Sequence, residues 1–152
     1  MNVLGISPLI SAAAFILSAA VVVIKLRHVQ RDRFVTITNG LFQIWQSPDF
    51  MKAQLWLIYE MKEHSWETFR ARHGGQDGEA AFLRVTGFYN RVGTLINLRL
   101  VDERAILRTI GGTACAVWKQ VEPLVQDARR DNPRALADFE LLVPHCKACY
   151  LT

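Results

Sequence analysis

The sequence predicts an all-α protein: a single N-terminal transmembrane helix continuing into a small cytoplasmic bundle of about four helices. Three observations predict it. From Ile6 to Ile24 the chain reads "ISPLISAAAFILSAAVVVI", nineteen residues without a charge. Beyond that run, apolar residues recur at spacings of three and four, the helical period. No stretch alternates at the period of two that a half-buried strand requires.

The apolar run has about the length a helix needs to cross a bilayer, roughly 20 residues. A helix satisfies its own backbone polar groups, so it can lie in lipid. Pro8 falls in its first turn, where a missing N–H costs little. Two other readings compete. A cleaved signal peptide needs basic residues ahead of the run, and "MNVLG" has none. A buried core helix would be longer and more apolar than a small domain can cover. The basic residues follow the run instead: Lys25, Arg27, His28, Arg31 and Arg33. By the positive-inside tendency they stay in the cytoplasm, with the N-terminus outside, in the inner membrane. The expected division is therefore an anchor over residues 1–28 and a cytoplasmic helical domain over 29–152. Lys25, Arg27, Arg31 and Arg33 are placed to attract anionic headgroups, at about 1 kcal/mol each near the surface. Ser11, Ala14 and Ser18 share one helical face, and small residues let membrane helices approach closely.

The helix is expected to run on through "KLRHVQRDRFVTITNGLFQIWQ", where Phe34, Ile37, Leu41, Ile44 and Trp45 form one stripe. "SPD" at 47–49 starts the next helix, with Ser47 as cap, Pro48 in the first position and Asp49 at the positive end of the dipole. Its apolar residues Met51, Leu55, Ile58, Tyr59, Trp66 and Phe69 carry it to "RARHGGQDG", whose paired glycines end it. A further helix begins near Gly78, with Ala81, Val85, Phe88, Val92 and Leu95 as its seam. Asp102 caps the helix after that, whose buried face is Ile106, Ile110, Ala114, Val117, Val121 and Leu124. Pro123 lies within it and is expected to kink it or start a new turn. "GGTACA" at 111–116 places glycines mid-helix at about 1 kcal/mol each. Close approach of a neighbouring helix would offset that cost. Pro133 precedes a short last helix, closed by Pro144.

Three stretches carry a likeness to other proteins: Trp45 with "SPDFMKAQ", then "FYNRVGTLINLRLVDERAI", then "VWKQVEPLVQDARRDNP". Over most of residues 30–133 the chain resembles an uncharacterised family of small bacterial proteins. That resemblance implies an all-helical fold with membrane attachment. It implies no established reaction and hands over no catalytic residue.

The tail "PHCKACYLT" holds the densest soft-ligand cluster, His145, Cys146 and Cys149. A structural zinc site takes four Cys or His ligands, and Cys115 would supply the fourth if the tail folds back. The CxxC spacing also suits a redox pair. Cytoplasmic thiols without a special role are the plainer alternative, and a standing disulfide is not expected there. His28, His64 and His73 are dispersed and read as surface residues. Glu60 and His64 stand four apart and could meet on a helix face. Tyr89, Asn90, Arg91 and Asn97 surround the tightest seam; satisfied internal contacts or a partner surface would explain them, and Glu122 is a candidate partner for Arg91. No nucleophile elbow, zinc-protease motif or phosphate loop is present.

The expected function is therefore non-enzymatic: a membrane-anchored interaction module, an accessory subunit or scaffold of a membrane-associated complex. Its partners would be the membrane and a membrane-protein subunit or a second copy. The net charge of +4 forms no nucleic-acid stripe, and no cofactor or small-molecule substrate is called for. The alternative is a thiol- or metal-dependent sensor using the HCxxC tail.

Overall fold

The computed structural model describes residues 7–150, with the side chains of 7–13, 30–31 and 147–150 outside the described part. Among the described residues six helices follow one another: α1 Ser7–Trp45, α2 Pro48–Tyr59, α3 Trp66–His73, α4 Asp77–Asn97, α5 Glu103–Ala128 and α6 Ala137–Tyr150. Among the described residues there is no strand. Two units divide the chain, Met1–Thr36 and Ile37–Thr152.

In the first unit, apolar side chains of α1 are exposed in an unbroken run. Phe15, Ile16 and Leu17 are exposed, as are Val21, Val22, Val23 and Ile24. Lys25, Arg27 and Arg33 are exposed as well. Among the described residues no helix is long and apolar enough to cross a membrane. The uncharged described stretch, Ala14–Ile24, is eleven residues of the nineteen that the sequence carries; the side chains of its earlier part lie outside the described residues.

The second unit is a bundle built on α4, α5 and α6, with α2 packed on α4 and α5. Ser47 caps α2 by accepting the Phe50 N–H at 3.4 Å, and Pro48 takes the first turn, where its missing N–H is no loss. Asp102 caps α5 by accepting the Ala105 N–H at 3.0 Å. The face expected of α5 is the buried one, from Ile106 through Leu124. The helix runs on through Pro123 to Ala128, held by buried side chains on both sides of the missing rung. Tyr89 stacks on Phe139 with ring centroids 5.0 Å apart, and Trp118 meets the same ring edge-on at 5.0 Å. Phe139 therefore joins α6 to both α4 and α5.

Two expectations fail. The helix begun at Pro48 does not reach the glycines; it stops at Tyr59, and α3 starts afresh at Trp66 under a Ser65 cap. Distant side chains hold the intervening backbone. Gln120 donates to the Met61 carbonyl at 2.6 Å, and Asp127 accepts the Trp66 N–H at 2.7 Å. Met61 is fully buried, so this segment contributes to the core. Pro144 does not close the last helix either. Phe139, Leu142, Val143 and Cys146 are all buried, an apolar face that continues across the proline and holds the helix together.

The α4–α6 seam is set by small and polar residues. A Cβ at Gly93 would overlap the Asp138 backbone carbonyl. Around that contact, Thr94 donates to Asp138 Oδ2 at 2.6 Å and Asn97 to Oδ1 at 3.1 Å. Asn90 Oδ1 accepts the Phe139 N–H at 3.1 Å, one of the free donors at a helix start. Asn90 and Asn97 are thus satisfied within the chain. Arg91 is exposed, and the ion pairs of the described residues do not join it to Glu122.

Candidate functional site

An open groove of about 840 Å³ lies between α2 and α4. The two helices run antiparallel. Phe50 near the start of α2 meets Phe88 at 4.8 Å and Tyr89 at 6.4 Å, in the middle of α4. At the other end Trp56 meets His73 at 5.1 Å, and the His73 ring lies on Gly78 at the start of α4. The groove has an apolar middle, with Leu55, Trp56, Ala80 and Ala81. Met51 and Leu55 are half exposed on its lip, at 50% and 49%. Charges occupy the two ends: Glu60 and Asp77 at one, Lys52 and Arg84 with Asp49 at the other.

Behind the acidic end lies a buried carboxylate, Glu63, only 7% exposed. Arg72 Nη1 reaches its Oε1 at 2.6 Å, His73 Nε2 lies 3.4 Å from Oε2, and the Lys62 N–H donates to Oε2 at 3.0 Å. Burial alone would raise this carboxyl's pKa. The backbone N–H groups, Arg72 and His73 outweigh burial and hold it below its ordinary value. The reading of His73 as a surface residue is thereby corrected: its side chain is 18% exposed, between Trp56, Phe69 and the Glu63 carboxylate. Glu60 and His64 lie in the 60–65 connection, outside any helix, so no helix face brings them together. The sequence did carry a signal for the break: Ser65 followed by Glu67 is a cap with an acid in the first turn.

A second polar cluster sits in the core. Tyr89 donates its hydroxyl to Gln54 Oε1 at 2.6 Å and lies 3.0 Å from Thr113 Oγ1. Burial pushes the phenol up to about 12, against the opposing hydrogen bonds. Trp45 Nε1 approaches the same hydroxyl yet is buried without a hydrogen bond of acceptable geometry.

The tail does fold back onto α5. Cys146 packs against Gly111, where a Cβ would lie 3.6 Å from its own Cβ, and Cys115 Sγ lies 4.0 Å from the Val143 carbonyl. The expected helix approach at "GGTACA" is therefore present, at ordinary contact distance. His145 diverges from Cys146: it is exposed and pairs with Glu103 through Nδ1 at 2.6 Å, while Cys146 is fully buried. The Cys149 side chain lies outside the described residues. Among the described residues no three His, Cys, Asp or Glu side chains are grouped to hold a metal ion. Of the small membrane face, Ala14 and Ser18 are exposed, with Ser18 Oγ donating to the Ala14 carbonyl at 2.8 Å. The side chains of Ser11 and of Arg31 lie outside the described residues.

These features define, among the described residues, an all-helical protein with an amphipathic groove between α2 and α4. The chain belongs to the family Domain of unknown function (DUF4760), whose model matches residues 8–146. No curated protein and no solved structure matches it.

Proposed function

We propose that the chain is a membrane-anchored, non-enzymatic interaction module, an accessory subunit or scaffold of a complex at the inner face of the membrane. One observation carries the reading. From Phe15 to Ile24 the helix exposes seven large apolar side chains, and its first charge is Lys25. A helix apolar all round needs an apolar surrounding. Shielding one such side chain from water is worth about 1.5–3 kcal/mol, so seven favour lipid or protein cover by on the order of 10–20 kcal/mol.

The described uncharged stretch spans about 16 Å at 1.5 Å per residue, too little for a hydrocarbon core of about 30 Å. The sequence from Ile6 brings the run to nineteen residues, or about 28 Å of helix. Lys25, Arg27, Arg31 and Arg33 then sit at the headgroup boundary, with the bundle in the cytoplasm.

The test is alkaline carbonate extraction of membranes from cells making the full chain, with Leu17→Arg and Val22→Glu as variants. The wild type is expected to stay with the pellet and the double variant to be released. Wild-type chain in the aqueous fraction overturns the anchor.

A further inference from the structure

We infer that the α2–α4 groove is the face through which two copies of this chain pair, about a two-fold axis passing near Leu55. This rests on the interaction-module reading and names its partner as a second copy.

Charge is distributed unevenly along the groove. α2 and α4 run antiparallel, so the register set by Phe50 against Phe88 brings Arg84, four residues before Phe88, toward the Lys52 end of α2, and Asp77, at the start of α4, toward its Glu60 end. The cationic end and the anionic end are thus separated along α2 by eight residues, about 12 Å of helix. Between them lie Leu55, Trp56, Ala80 and Ala81. None of the four end charges takes part in an ion pair among the described residues. Asp49 adds one negative charge near Lys52, so the cationic end is the weaker of the two.

In a two-fold pair, each patch meets itself in reverse. A dyad across the groove therefore lays Lys52 and Arg84 of one copy against Glu60 and Asp77 of the other, twice over. The exposed Leu55 of both copies is covered at the centre, and the exposed Met51 of each near the end. The apolar middle would supply the affinity and the charged ends the register. A pairing with both helices parallel would instead place like charges together.

The experiment measures the mass of the full chain in mild detergent by sedimentation at several concentrations. The wild type is expected to dimerise, more weakly as salt is raised, since rim charges are screened. Glu60→Lys with Asp77→Lys makes both ends positive, and Lys52→Glu with Arg84→Glu makes both ends negative. Each variant alone is expected to dimerise about tenfold or more weakly, and an equimolar mixture to recover a heterodimer. All four positions are surface charges, and circular dichroism checks the fold. Leu55→Glu, which sets two carboxylates on the axis, gives a second readout and is expected to leave monomers.

A monomeric wild type overturns the inference and leaves the groove to another protein's helix. A dimer indifferent to all three variants overturns it as well. Carbonate extraction of the same variants reads anchoring separately: release of every one sinks the anchor without touching the pairing.

Discussion

Gly93→Ala is the sharpest perturbation of the bundle. An added Cβ would overlap the Asp138 carbonyl, a backbone atom that cannot rotate aside. The start of α6 has to move away from α4, and overpacking of this kind costs about 1–3 kcal/mol. The same movement lengthens the bonds from Thr94 and Asn97 to Asp138 and from the Phe139 N–H to Asn90. Each is worth about 1 kcal/mol when lost. Alanine's better helix propensity returns about 1 kcal/mol. The net loss is about 3–5 kcal/mol, which at about 4 °C per kcal/mol for a domain of this size lowers Tm by roughly 12–20 °C. Two other glycines serve as controls. At Gly111 a Cβ would meet Cys146 at ordinary contact distance, and at Gly87 it would meet nothing within 4 Å. Gly111→Ala and Gly87→Ala are expected to be neutral or to gain up to about 1 kcal/mol. Thermal and urea unfolding followed by circular dichroism compares the three. A Gly93→Ala variant as stable as the Gly87→Ala variant would refute the seating of α6 on α4.

Other outcomes are also expected. Tyr89→Phe leaves Gln54 Oε1 without its partner in the core and is expected to cost about 1–3 kcal/mol in urea unfolding. Glu63 titrates lower in the folded chain than its ordinary 4.5, so its stabilisation is full above that pH and fades as pH falls through the folded value. Glu63→Gln should therefore lose stability near neutrality and show a flatter acid limb, read by unfolding between neutral pH and pH values below 4.5. Ser65→Ala removes the α3 cap and is expected to cost about 1 kcal/mol by the same assay. His145→Ala breaks only the exposed pair with Glu103 and should shift stability by less than about 1 kcal/mol.

Much of the helical order was legible because it is local. The caps at Ser47 and Asp102 and the buried face of α5 follow from residues within a few positions of each other. What escaped is non-local. Gln120 and Asp127, some sixty residues away, hold the break between α2 and α3. No window around "EMKEH" contains them. His73 looked like a surface residue because its neighbours in sequence are polar, while its neighbours in space are Trp56, Phe69 and Glu63. Pro144 looked like a stop because local propensity disfavours it, yet the apolar face on both sides outweighs one lost rung. In the tail, helical phase turns His145 and Cys146 to different environments, which adjacency in sequence conceals. The groove has no sequence motif at all. It arises only when α2 and α4 lie antiparallel, bringing Lys52 and Arg84 toward one end and Glu60 and Asp77 toward the other.

Phe139 is the ring that both Tyr89 and Trp118 rest on, and it belongs to α6, which is synthesised after α4 and α5. Until α6 emerges, the aromatic faces of α4 and α5 have no lid and the nascent bundle stays open to chaperones and proteases. Closure of the aromatic core thus waits for α6. A message truncated ahead of Ala137 yields a chain whose earlier helices are all present but whose interior is never sealed.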